Sequence, residues 1–119
     1  MFSLTSTVRY YLYLGATDMR KSFDGLYGLV KSELKRDPFS GEAFIFINKR
    51  MDRMKVLHWE AGGFVLYYKR LEQGTFEIPA YNAEKRCYQM DWAQFVMMVD
   101  GIEWKKVKKR KRFPQKMAV

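Results

Sequence analysis

A chain of 119 residues has the size of one domain and can bury about 65% of the surface that its unfolded form exposes. With 48% hydrophobic and 17% aromatic residues it has the material for a core, and its single cysteine, Cys87, excludes an internal disulfide and points to a reducing compartment. The formal net charge is +9, from 22 Lys and Arg against 13 Asp and Glu, which favours polyanionic partners over acidic-surface chemistry.

Residues 8–14 are rich in aromatic and β-branched side chains and read as a first strand, closed by Gly15. Thr17 or Asp18 can cap a helix whose apolar face carries Met19, Phe23, Leu26, Tyr27, Val30 and Leu34, and Asp37-Pro38 ends it because the residue before proline is pushed out of the α region. From Ala43 the period changes. Residues 43–47 are a strand, 48–53 a turn, 54–59 a strand, and Ala61-Gly62-Gly63 a second turn. Residues 64–70 follow as a strand, Glu72-Gln73-Gly74 as a turn, and 75–78 as a strand that Pro79 stops. A weaker sixth strand covers 86–90, and Asp91 caps a second helix carrying Trp92, Phe95, Val96, Val99 and Ile102, with Gly101 near its end.

This order predicts an α+β domain over residues 1–104. It has a mainly antiparallel sheet of five to six strands, a long helix after the first strand, a second helix near the C-terminus, and helices covering one face. Residues 105–119 fall outside any apolar periodicity and read as a disordered tail. Lys105, Lys106, Lys108, Lys109, Arg110, Lys111, Arg112 and Lys116 supply its charge, no acid follows Glu103, and the remaining 14 bases face 13 acids. A tail of this density attracts nucleic acid through counterion release.

Within the folded part Lys49, Arg50, Arg53 and Lys55 crowd the first hairpin, and Lys69-Arg70 end a later strand. These are candidate phosphate contacts, and the spacing leaves open whether they form one patch or two. Tyr10, Tyr11, Tyr13, Tyr67 and Tyr68 offer rings for stacking single-stranded bases, or half-buried strand positions. Parts for catalysis are few. His58 is the only histidine, Cys87 has no CxxC partner, and Gly62-Gly63 is explained by a hairpin turn. Asp18 and Asp24 lie six apart, so the helical period holds them off a common face, and Asp24 suits an ion pair with Arg20 or Lys21. No catalytic residue, metal or cofactor is expected. The first residues lack the basic flank and apolar run of a signal peptide, and no stretch nears the roughly 20 apolar residues of a membrane span, so a cytoplasmic protein without a membrane partner is expected.

Spaced motifs run through the chain: residues 17–21 with Phe23-Asp24-Gly25-Leu26, Asp37-Pro38-Phe39-Ser40-Gly41 before Phe44-Ile45-Phe46, Lys55-Val56-Leu57-His58-Trp59, Lys69-Arg70-Leu71-Glu72, Pro79, and Gln94 before Gly101-Ile102. On these residues the chain resembles the TnpB accessory proteins encoded by the second open reading frame of the IS-sixty-six insertion-sequence family. His58 and Glu60 depart mildly from that pattern, where many relatives carry a second tryptophan and an aspartate. The resemblance implies a non-catalytic accessory protein for transposition, acting alongside TnpA and TnpC of the same element and binding DNA or assembling the transposase complex. It marks Asp18, Arg20 and Lys21 as candidate partner contacts. A module that docks the transposase without touching DNA is the alternative. A metal-dependent nuclease would need Asp18, Asp24 and Glu60 or Glu72 to converge.

Overall fold

Tyr10 and Tyr11 are adjacent in the chain and both are buried. Neighbouring strand residues point to opposite faces, so each tyrosine enters a different core. A computed structural model of the chain, describing residues 4–78, 85–103 and 108–109, shows what covers them. Strand β1 (Tyr10–Ala16) leads through helix α1 (Phe23–Ser32) to β2 (Ala43–Ile47), β3 (Arg53–Glu60) and β4 (Gly63–Arg70). Then come β5 (Cys87–Met90), helix α2 (Trp92–Asp100) and a small hairpin of β6 (Ile102–Glu103) with β7 (Lys108–Lys109). The main sheet has the order β4-β3-β2-β1-β5.

Three expectations are corrected here. The sheet is mixed, because β1 and β2 pair in parallel at its centre while the other pairings are antiparallel. Parallel neighbours need a long crossover connection, and residues 17–42, with α1 among them, supply it. The helices are short, at 10 and 9 residues. They also cover opposite faces: Leu26 and Val30 of α1 pack with Tyr11, Phe44, Phe46 and Leu57, whereas Phe95 and Met98 of α2 pack with Tyr10, Leu12, Ile45 and Val56. Each fully buried side chain of this size contributes about 1.5–3 kcal/mol, so both layers matter to stability.

Helix α1 starts late for one local reason and one distant one. The Asp18 carboxylate accepts from the Arg20 amide at 2.9 Å, forming a turn. The ammonium of Lys55 donates to the carbonyls of Met19 and Lys21 at 2.8 and 2.7 Å, carbonyls that a longer helix would have used for its own first amides. The helix also stops before Asp37-Pro38. The Leu34 amide reaches back to the Leu29 carbonyl at 3.1 Å, the six-to-one bond that closes a helix end, Lys35 takes a left-handed φ of 57°, and the Arg36 amide bonds the Val30 carbonyl at 3.1 Å. Beyond it, Arg36 grips Glu42 through two bonds of 2.9 Å.

Helix α2 follows its sequence signals. Asp91 and Gln94 form a reciprocal capping box, and Gly101 caps the end at φ 81°. Ile102 consequently leaves the helix and joins β6. Residues 75–78 are not a strand: the Phe76 amide donates to the Met51 carbonyl at 2.7 Å, and its ring is 0% exposed among the α2-side core residues. The expected stop at Pro79 lies outside the described residues.

Candidate nucleic-acid interface

Strands β1, β2 and β4 finish at the same end of the sheet where β3 begins, as the parallel and antiparallel pairings require. The consequence is that residues 17–21, the turn at 48–52, Arg53 and Arg70 gather at one end. The Thr17 amide bonds the Ile47 carbonyl at 2.9 Å, joining the loop after β1 to the end of β2. A cleft of about 250 Å³ lies between loop and turn, lined by Thr17, Asp18, Met19, Lys49, Arg50 and Arg53 among others.

Asn48 builds the turn. Its side-chain oxygen accepts from the Asp52 and Arg53 amides at 3.0 Å each, and its amide nitrogen donates to Asp52 Oδ1 at 2.7 Å. Lys49 and Arg50 are thereby left exposed at the tip. On the other lip Arg20 forks onto Asp18, with Nη2 to Oδ2 at 2.6 Å. Those bonds from Arg20 hold the Asp18 carboxyl at about 2, well below its ordinary value. Arg20 therefore pairs with Asp18 and not with Asp24.

In the β3–β4 register Arg53 stands directly opposite Arg70, and Lys55 opposite Tyr68. Arg70 is paired with Glu72 at 2.7 Å, and Arg53 Nη1 lies 3.4 Å from the Tyr68 hydroxyl. Lys55 is different in kind: it is 6% exposed, its ammonium is held by two carbonyls, and it lies 4.7 Å from the Tyr68 ring centre. It anchors the 17–21 loop and takes no part in the exposed surface. Lys69 points to the opposite face, where it donates to the Val99 carbonyl of α2 at 3.2 Å. Lys49, Arg50 and Arg53 form no ion pair with another described residue.

Lys49, Arg50, Arg53 and Arg70 thus lie at one end of the sheet, while Lys55 and Lys69 fall outside that surface. Of the tail, Lys108 and Lys109 form β7 against Ile102 and Glu103, while Lys105, Lys106, Arg110, Lys111 and Arg112 lie outside the described residues.

With this geometry in place, the comparison with known proteins is decisive about kinship: the family model described as IS66 Orf2 like protein matches residues 8–109. The chain belongs to the IS66 Orf2 like family. Membership makes it a transposition-associated accessory protein of an insertion sequence. It is 36% identical over 93 residues to the uncharacterized protein y4jC of Sinorhizobium fredii, covering 78% of each chain. It is 34% identical over 98 residues to the uncharacterized protein y4hO of the same organism, covering 82% of this chain and 84% of the relative. No solved structure matches.

Several carboxylates of this IS66 Orf2 like chain are already engaged. Asp18 is held by Arg20, Glu60 by His58 Nδ1 at 3.2 Å, and Glu60 and Glu72 lie at opposite ends of the β3–β4 hairpin. Among the described residues no group of three or more His, Cys, Asp or Glu could hold a metal ion. His58 is 3% exposed, with Nε2 3.0 Å from the Gly41 carbonyl, so it is a buried residue of the fold. Burial pushes the Cys87 thiol up, away from a reactive thiolate. No helix of the described residues is long and apolar enough to cross a membrane.

Sequence reasoning did not single out an aromatic cluster at the far end of the α1 face. Phe39 lies 4.9 Å from Trp59 and 5.3 Å from Phe64, with Tyr27 beside both phenylalanines, and Phe39 is 47% exposed. The signal was present in the Asp37-Pro38-Phe39-Ser40-Gly41 motif, whose phenylalanine has no periodic partner.

Proposed function

We propose that this chain is a non-enzymatic accessory protein that holds DNA by its phosphates during transposition and helps to assemble the transposase complex. The observation that carries this reading is the gathering of Arg20, Lys21, Lys49, Arg50, Arg53 and Arg70 at one end of the sheet. Basic side chains on one rigid rim neutralise phosphates and release counterions without demanding a base sequence. The basic tail adds to the same attraction.

The test is DNA binding by the full chain across a salt series, beside a Lys49→Gln, Arg50→Gln, Arg53→Gln variant and a variant lacking residues 105–119. The rim variant lowers the dependence of log affinity on log salt by about one per lost phosphate contact. An unchanged slope in both variants sinks the proposal.

A second reading, a docking module for TnpC, is favoured by the exposed aromatic cluster around Phe39, since such patches mark protein contacts. Pull-down of TnpC with Arg20→Glu, Lys21→Glu and Phe39→Ala variants separates the two. Loss of TnpC with DNA binding intact favours docking.

A further inference from the structure

We propose that Tyr68, with Arg53 and Arg70 around it, is a stacking platform for one base of single-stranded DNA. This rests on the DNA-contact reading above and names the form of DNA that the surface takes. Arg53, Lys55, Tyr68 and Arg70 form a square on one face of the β3–β4 pair, because Arg53 faces Arg70, Lys55 faces Tyr68, and each strand contributes alternate residues. Two arginines directly opposite each other repel. Glu72 offsets this only for Arg70, and an anion between the two guanidiniums would offset it for both.

The recess lined by Arg53, Tyr68 and Arg70 is about 170 Å³, below the roughly 300 Å³ at which enclosed ligand pockets begin, which suits a phosphate group. Tyr68 is 52% exposed on an outer strand, so its ring is open to solvent. Lys55 fixes it from one side at 4.7 Å, and the Arg53 contact at the hydroxyl holds its tip. An oriented, exposed ring flanked by guanidiniums matches a base and its neighbouring phosphates. A duplex keeps its base faces stacked inside, so only a single strand can use the ring.

The experiment uses the full chain, a fluorescein-labelled oligothymidylate and a labelled duplex of equal length. Tyr68→Leu weakens oligothymidylate binding by about tenfold and leaves duplex binding within about twofold, whereas Tyr68→Phe, which keeps the ring and loses only the hydroxyl contact, retains most of the oligothymidylate binding and leaves duplex binding unchanged. Arg70→Gln weakens both probes and lowers both salt slopes. Thermal unfolding of each variant checks that it is folded. The proposal is overturned if Tyr68→Leu binds oligothymidylate like the wild type, or loses both probes by the same factor. Wild-type binding to duplex with none to oligothymidylate also overturns it while leaving the DNA-contact reading standing; binding to neither probe removes both.

Discussion

The ammonium of Lys55 donates to the carbonyl of Lys21 at 2.7 Å, so one basic residue, buried in the sheet, shapes the loop that presents another to solvent. The same ammonium also takes the Met19 carbonyl. Replacing Lys55 by Met keeps the apolar stem and removes both bonds. Lys55→Met should lower stability by about 2–3 kcal/mol, the usual effect of losing charged hydrogen bonds and stranding their acceptors. Urea unfolding reads this as a lower midpoint with an unchanged slope.

Phe76 lies outside any strand and yet is 0% exposed. Phe76→Ala should cost about 3–5 kcal/mol, as large-to-small changes in a packed core do. Phe39→Ala, at a half-exposed ring packed on Trp59 and Phe64, should cost less, about 1–2 kcal/mol. Paired denaturation curves of the two variants check the contrast.

Ala61 holds a left-handed φ of 49°, and Gly62 follows at 84°, the two positive angles of a tight hairpin turn. An alanine in that region carries steric strain. Ala61→Gly should therefore stabilise the chain by roughly 0.5–1 kcal/mol, the relief of strain outweighing the added freedom of the unfolded chain. A rise in melting temperature would show it, and a fall would contradict it.

That turn also shows how much was legible in the sequence. Strand β3, strand β4 and both ends of the hairpin follow from alternation and from Gly62. The turn reads from sequence as three residues, however, and has two. A one-residue slip changes every partner, and a three-residue turn would have set Arg53 opposite Leu71 in place of Arg70. The convergence of the basic residues was therefore invisible to spacing alone. Likewise the parallel β1–β2 pair is a matter of adjacency across the sheet, which the local period of neither strand encodes. Helix α2 was readable because Asp91, Gln94 and Gly101 carry its start and stop in their own side chains and φ. Helix α1 was overextended because the residue that stops it from starting at Asp18 is Lys55, more than thirty positions away.

Glu42 links α1's end to β2 through Arg36. The Arg36 bonds hold its carboxyl below the ordinary value of 4.5, Ser40 adds to this, and burial opposes it. A depressed carboxylate stabilises the fold above its unfolded value, and that contribution is lost as the pH falls through the lower folded value. Stability of the wild type should thus decline on acidification below about pH 4 more steeply than that of Glu42→Gln. Melting temperatures measured from neutral to acid pH give the two slopes, and parallel slopes would refute the linkage.

Arg53 and Arg70 should each act as one phosphate contact. Single Gln replacements lower the salt dependence of DNA binding by about one unit of slope apiece, and the double variant, with both members of the facing pair removed, should show any coupling between them. Titrations at several salt concentrations provide the measurement.

Strand β4 is one of the two outer strands of the main sheet, and its last two residues are Lys69 and Arg70. An outer strand offers unpaired amides and carbonyls to any other strand that approaches, and charged side chains there keep two copies of a protein apart. Arg70, one of the cations proposed to meet phosphates, therefore also guards against self-association, together with Lys69. Neutralising them exposes the strand edge to a second copy, so a preparation of such variants that clumps would mimic weakened DNA binding, and light scattering belongs beside every titration of these variants.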